Sequence, residues 1–202
     1  MNKIDNFYTE DIESFSKSYF SYLKEIFDKV HLSEIKLFVE VLLAARERGG
    51  TIFFIGNGGS ATTASHFAND LAFGTNEYEK PFKVMSITDN VSVLTALGND
   101  YGYNEIFIRQ LKVYGEKGDV LVGISASGNS KNIINAFEYA STAGIKTVAL
   151  TAFDGGGLRK ITNYSVHIPT ENKEYGPAED LHMILDHLIS NYLMRLVKID
   201  AT

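Results

Sequence analysis

Apolar residues at Ile12, Phe15, Tyr19, Tyr22 and Ile26 recur three and four positions apart, and Ile35, Phe38, Val39, Leu42 and Leu43 repeat that spacing. This is the period of one helix face, so the chain is predicted to open with two helices. After Gly49 and Gly50 the rhythm changes to short apolar runs, glycine-rich turns and helical patterns in alternation. Strands are predicted near 51–55, 82–87, 119–124, 146–151 and 164–168. Helices are predicted near 60–73, 90–97, 103–114 and 131–143, with a long last one from about 177 to 198. Continuous β-branched runs such as Thr147-Val148-Ala149-Leu150 suit a parallel sheet covered on both faces. The predicted fold is an α/β, doubly wound sandwich with a five-stranded parallel sheet, in one domain over 1–202. Within it, 1–48 form an N-terminal helical extension that packs on this domain or on a second subunit, and 49–202 form the core with its C-terminal helix.

Two of the strand-to-helix turns share a design. Thr51-Ile52-Phe53-Phe54-Ile55 runs into Gly56-Asn57-Gly58-Gly59-Ser60-Ala61, and Val120-Leu121-Val122-Gly123-Ile124 runs into Ser125-Ala126-Ser127-Gly128-Asn129-Ser130. At a helix N-terminus the first backbone N–H groups lack helical partners and the dipole adds positive charge, while glycine lets an anion approach closely. Serine hydroxyls add donors. Neither loop holds a lysine, which points to a phosphomonoester gripped by neutral donors and excludes a Walker loop. The first loop also satisfies G-x-G-x-x-A, yet a dinucleotide fold needs an acid ending the second strand; Asn76, Glu77 and Glu79 precede that strand in a polar loop. No nucleotide cofactor is expected.

Composition narrows the partners. A net charge of -6 disfavours nucleic acid. The absence of cysteine leaves His, Asp and Glu as the only metal ligands. No apolar leader opens the chain and no 18-residue apolar run occurs, so no membrane partner and a cytoplasmic location are expected. The aromatic residues Phe15, Tyr19, Tyr22 and Phe27 read as a helix interface.

Taken together, Gly56 to Ala61 with His66 and Asp70, then Asn99-Asp100-Tyr101-Gly102-Tyr103, then Gly123 to Ser130, and finally Glu179 through His187 resemble the sugar isomerase (SIS) domain, in its phosphoheptose isomerase branch. The resemblance runs from about residue 10 to 198. It implies a homotetramer with sites between subunits, often zinc, that isomerises sedoheptulose 7-phosphate to D-glycero-D-manno-heptose 7-phosphate. It implies that Ser60, Ser125, Ser127 and Ser130 hold the phosphate, that Asn57 and Asp100 lie along the sugar, and that Gly58, Gly59, Ala126 and Glu179 also bind the substrate. It places the base at Asp70 and its partner at His187, and it gathers His66, Asp70, Glu179 and His187 as ligands of zinc or another divalent metal. Three positions depart from the branch: Asp70 stands for Glu, Glu179 for Gln and Gly74 for Arg.

The chemistry asks for similar groups. Moving a proton between C1 and C2 through an enediol needs a base, a proton donor and help for oxygen charge, and a carboxylate with an imidazole can supply them near neutrality. His66 and Asp70 are four apart and share a helix face; Glu179, His182 and Asp186 share another. Glu179 and His187 are about 12 Å apart along an ideal helix, so they share one ion only if Glu179 bends back. His31 and His167 read as structural, His182 as either site or core, and Asp180 and Asp186 as ordinary acids of a helix's first half. A non-catalytic sugar-phosphate-binding or protein-interaction member of the same fold, of the kind that contacts a replication initiator, is the alternative reading. Glucosamine or hexulose phosphate isomerisation is a third.

Overall fold

A computed structural model describes residues 2–200. Five parallel strands run in the order β2-β1-β3-β4-β5: β1 (Thr51–Gly56), β2 (Lys83–Ser86), β3 (Val120–Ser125), β4 (Lys146–Ala152) and β5 (Tyr164–Ile168). Register is continuous, with Phe54 opposite Val122 on β3 and Val122 opposite Val148 on β4. The helices are α1 (Lys3–Phe7), α2 (Ile12–Phe27), α3 (Leu32–Arg48), α4 (Gly59–Asn69), α5 (Val91–Tyr101), α6 (Ile106–Tyr114), α7 (Lys131–Ala143), α8 (Leu158–Ile161) and α9 (Tyr175–Asp200). No helix among the described residues is long and apolar enough to cross a membrane.

The alternation of strand residues explains the three layers. Ile52, Phe54, Val120, Val122, Val148 and Leu150 face one side, where they pack with buried residues of α2, α3, α4 and α9. Phe53, Ile55, Leu121 and Ala149 face the other, against α6 and α7. Successive strand side chains point to opposite faces, so runs apolar at every position require helices on both. The two helices that matter most below, α4 and α9, therefore lie on the same face.

The predicted strands stand within a residue or two of those observed, and the differences concern helices, one of which, expected over 90–97, runs on to Tyr101. The helix expected over 60–73 is α4 followed by one π-helical turn, Asp70–Gly74. The one expected from 103 opens with a 3₁₀ turn, Tyr103–Glu105. Helices α1 and α8 were not anticipated; at five and four residues they are too short to show a period. The N-terminal helices pack at least in part on their own chain, because Tyr22, Ile26, Phe38 and Leu42 are buried in the core. Tyr22 donates its hydroxyl to the buried Glu174 carboxylate just before α9, which also accepts from the Lys3 backbone N–H at 2.7 Å.

Candidate active site

The chain leaves β1 through α4 to β2 on one side and then returns through α5 and α6 to β3 on the other side of β1, so the C-terminal ends of β1 and β3 form the topological switch point. Crevices at such points are where open α/β sheets bind ligands. The two glycine-serine loops lie here. They border a cleft of about 140 Å³ lined by Asn57, Ser60, Ser125, Ala126, Ser127, Ser130, Tyr175 and Glu179.

The loops present donors rather than using them up. Helices α2 and α5 are capped by Asp11 and Asn90, whose side chains accept from Ser14 and Val93 N–H groups. Helices α4 and α7, which start in the cleft, have no side-chain cap. Ser130 sits at the N-cap of α7 without making the capping bond, which leaves its hydroxyl for a ligand. Gly58 has φ 55° and Gly128 φ 62°, both in the left-handed region that lets the chain turn into the helix. Asn57 is fixed by a reciprocal amide pair with Asn132, at 3.0 and 2.9 Å, and its Oδ1 accepts from the Tyr103 hydroxyl at 2.8 Å. No lysine or arginine lines the cleft. Asp100, expected beside the sugar, is exposed at the end of α5 and does not line it.

A second cluster lies farther along the same pair of helices. His66 and His187 meet with Nε2 atoms 3.2 Å apart, and His66 Nε2 is 3.6 Å from Asp70 Oδ2. Asp70 opens the π-helical turn, a feature frequently found at functional sites. Asp186 joins them: one ligand atom from each of His66, Asp70, Asp186 and His187 lies within 4.8 Å of the others. Asp186 is fully buried, with Oδ1 accepting from the Ser190 hydroxyl at 3.0 Å and Oδ2 without a partner. Burial chiefly pushes its carboxyl up to about 6, helped by the nearby Asp70 and opposed by Ser190, His66 and His187.

Glu179, expected among the metal ligands, is not in this group. Its carboxylate lies against Gly59, where a Cβ would collide with it, at the first turn of α4. Helices α4 and α9 thus touch at Gly59 with Glu179 and again at His66 with His187, running parallel. The two contacts are about 10 to 12 Å apart along the helix axes, seven or eight residues at 1.5 Å each. Negative charge at a helix N-terminus is favourable, which gives Glu179 a reason to stay there.

Sequence reasoning treated Asp186 as an ordinary helix acid; the signal that could have found it was its place one residue before His187. His182 belongs to the core. It is fully buried, its Nε2 lies 3.4 Å from the Thr151 carbonyl oxygen, and burial pushes its imidazole down to about 4. His167 contacts the Thr151 hydroxyl at 3.0 Å, and His31 precedes α3 without capping it.

A family model described as the SIS domain matches residues 17–152. The chain belongs to the SIS domain family. Within it, the chain is 38% identical over 157 residues to a phosphoheptose isomerase of Helicobacter pylori, covering 78% of this chain and 81% of that one. A phosphoheptose isomerase of Thermodesulfovibrio yellowstonii is 36% identical over 167 residues, covering 83% and 82%. Among solved structures, a phosphoheptose isomerase from Neisseria gonorrhoeae superposes with a TM-score of 0.80 at 29% identity, over 91% of this chain and 98% of that one. One from Francisella tularensis gives 0.80 at 27% identity, over 96% and 100%. This SIS chain therefore sits in the phosphoheptose isomerase branch.

Proposed function

We propose that this chain interconverts sedoheptulose 7-phosphate and D-glycero-D-manno-heptose 7-phosphate. One observation carries the reading: uncapped helix starts with free serine donors at one end of the α4–α9 contact, and an acid and imidazole cluster two turns along it. From Ser60 to His66 is about 9 Å of helix, and to Asp70 about 15 Å. That span suits an extended six- or seven-carbon sugar phosphate and leaves a triose phosphate out of reach.

The phosphate binds at the starts of α4 and α7, on backbone N–H groups and the Ser60, Ser125, Ser127 and Ser130 hydroxyls. Asn57 lies beside the sugar. Asp70, partly accessible and next to His66, takes the C1 proton of the ketose and returns it to C2 as O1 loses and O2 gains a proton. His187 assists at the oxygens. The cluster offers two imidazoles and two carboxylates, a donor set that fits zinc or another divalent cation. Such an ion, when bound, supplies polarisation of the sugar oxygens.

The working form we propose is a homotetramer. An apolar groove of about 400 Å³ between α3 and α9 is lined by Leu32, Ile35, Lys36, Val39, Leu188 and Tyr192. Leu32 is 72% and Tyr192 53% exposed, an arrangement that favours a symmetric partner. Leu188 follows His187 directly, so that partner would border the site. The test is incubation of metal-loaded protein with a panel of ketose and aldose phosphates, followed by proton NMR. Interconversion of the heptose pair is expected; conversion of a different pair alone would replace the substrate, and no conversion would end the reading.

A further inference from the structure

We propose that Tyr175 decides which phosphates the cleft accepts: its ring closes the phosphate end, so that the terminal monoester of a sugar fits and a phosphodiester does not. The inference rests on the sugar-phosphate reading of the cleft and names the residue that sets its selectivity.

Tyr175 is the one aromatic side chain among the described residues that line the cleft, and its surface is 52% exposed. It is the first residue of α9, about 18 Å along the helix axis before His187. Side chains on a helix tilt toward its N-terminus, so the ring stands at the end of the cleft away from His66, Asp70 and His187. A substrate whose reacting carbons lie at that cluster puts its phosphate at the Tyr175 end.

Two supports keep the ring in place. Phe153, just after β4, meets it edge-on, with centroids 5.1 Å apart and an interplanar angle of 81°. Phe153 has φ 56°, a left-handed backbone that a bulky residue rarely adopts and that persists only where the surroundings enforce it. Its backbone N–H donates to the Thr170 hydroxyl at 3.4 Å, and its ring packs on the core. The backbone under Tyr175 is the second support. The buried Glu174 carboxylate accepts from the N–H groups of Lys3 and Glu171 and from the Tyr22 hydroxyl. Pro177 stands in the first turn of α9, where a missing N–H breaks no helical bond.

A wall fixed in this way selects by shape. The cleft holds about 140 Å³, well under the roughly 300 Å³ at which pockets for whole drug-sized ligands begin, so it takes the phosphate end of a substrate alone. Serine hydroxyls and helix starts grip phosphate oxygens without reading what lies beyond them. With no lysine or arginine in the lining, charge attraction does not sort the candidates. The ring does, because a second substituent on the phosphorus is forced against a packed side chain, and a clash of that kind is how a site rejects a near-identical ligand.

The experiment uses calorimetric titration of wild-type protein, Tyr175→Ala, Tyr175→Phe and Phe153→Gly with heptitol 7-phosphate, which has no carbonyl and is not turned over, and with its methyl phosphodiester. The quantity read is the ratio of the two affinities, which a general loosening of the fold leaves unchanged; melting curves verify that each variant folds. Tyr175→Ala is expected to cut the preference for the monoester by about 10-fold or more, the lower end of what one misplaced carbon costs in a closed pocket. Tyr175→Phe keeps the ring and is expected to stay within about threefold of wild type. Phe153→Gly leaves Tyr175 in place and adopts φ 56° without strain, and freeing the ring is expected to lower the preference by more than about threefold. It carries the test should Tyr175→Ala fail to fold. A preference in Tyr175→Ala within about threefold of wild type would overturn the assignment, as would a loss in Tyr175→Phe as large as that in Tyr175→Ala. A ratio that shifts as expected in protein that isomerises no sugar phosphate supports the role of Tyr175 and removes the isomerase reading, whereas a wild type that binds neither ester overturns both.

Discussion

The Nε2 atoms of His66 on α4 and His187 on α9 lie 3.2 Å apart, with the rings inclined at 70°. Two neutral imidazoles in this arrangement share one proton or one cation between those nitrogens, since both cannot carry hydrogen there. His187→Ala should therefore lose metal and turnover together. Asp70→Asn should remove turnover by a factor on the order of 1,000 while sugar-phosphate affinity stays within a few-fold, since general-base catalysis typically contributes 10² to 10⁴. Elemental analysis, steady-state kinetics and calorimetric titration separate these outcomes.

The cleft serines should act as shared, individually modest donors. Each neutral hydrogen bond contributes about 0.5 to 1.5 kcal/mol, so Ser60→Ala, Ser127→Ala or Ser130→Ala should weaken sugar-phosphate binding about 2- to 15-fold. Gly59→Ala should do more, because its Cβ meets the Glu179 carboxylate and pushes it into the cleft. Titration with a sugar phosphate and its unphosphorylated analogue checks this; equal affinity for the two would remove the phosphate role.

Much of this was legible in the sequence because the relevant signals are local. Runs such as Val120–Ile124 with Ser125–Ser130 behind them announce a buried strand and a helix start, and the sheet order then brings two such starts together. The π-helical turn at Asp70 was not legible, since nothing in Asp70-Leu71-Ala72-Phe73-Gly74 distinguishes it from an α-helical turn. Asp186, on a candidate stripe with Glu179 and His182, reads in the sequence as an ordinary helix acid for a related reason. An acid on a helix is usually solvated, and only the packing of α9 on α4 buries this one. Glu179 shares a helix with His187, yet two turns of rise separate its contact with Gly59 from that of His187 with His66.

His182 should make stability fall on acidification. Its imidazole titrates near 4 in the fold against about 6.5 in the unfolded chain. A depressed folded value favours unfolding wherever the unfolded chain binds the extra proton. The contribution is thus intact above about 6.5 and is lost as pH falls toward 4, on the order of 2 kcal/mol by pH 5. Asp186, pushed up to about 6, acts in the opposite sense over much of that range. The informative quantity is therefore the difference between wild type and His182→Gln in urea melts with chelator present. It should shift in favour of the variant between pH 7.5 and 5, and a difference independent of pH would contradict a buried neutral imidazole.

Leu188→Glu should split the assembly. The substitution puts a charge into the apolar groove shared by α3 and α9, and a buried unpaired charge opposes association strongly. Light scattering should show the wild-type chain as a tetramer and the variant as a smaller, folded species with reduced turnover. A monomeric wild type would remove the interface from the account.

In the proposed reaction Asp70 moves a proton between adjacent sugar carbons, and solvent exchange reports that step. Sedoheptulose 7-phosphate incubated with metal-loaded protein in deuterium oxide should give the aldose phosphate carrying deuterium at C2, and recovered ketose carrying it at C1, with neither label in Asp70→Asn. Product formed without label would indicate direct hydride transfer. Unchanged, unlabelled ketose would contradict the isomerase account.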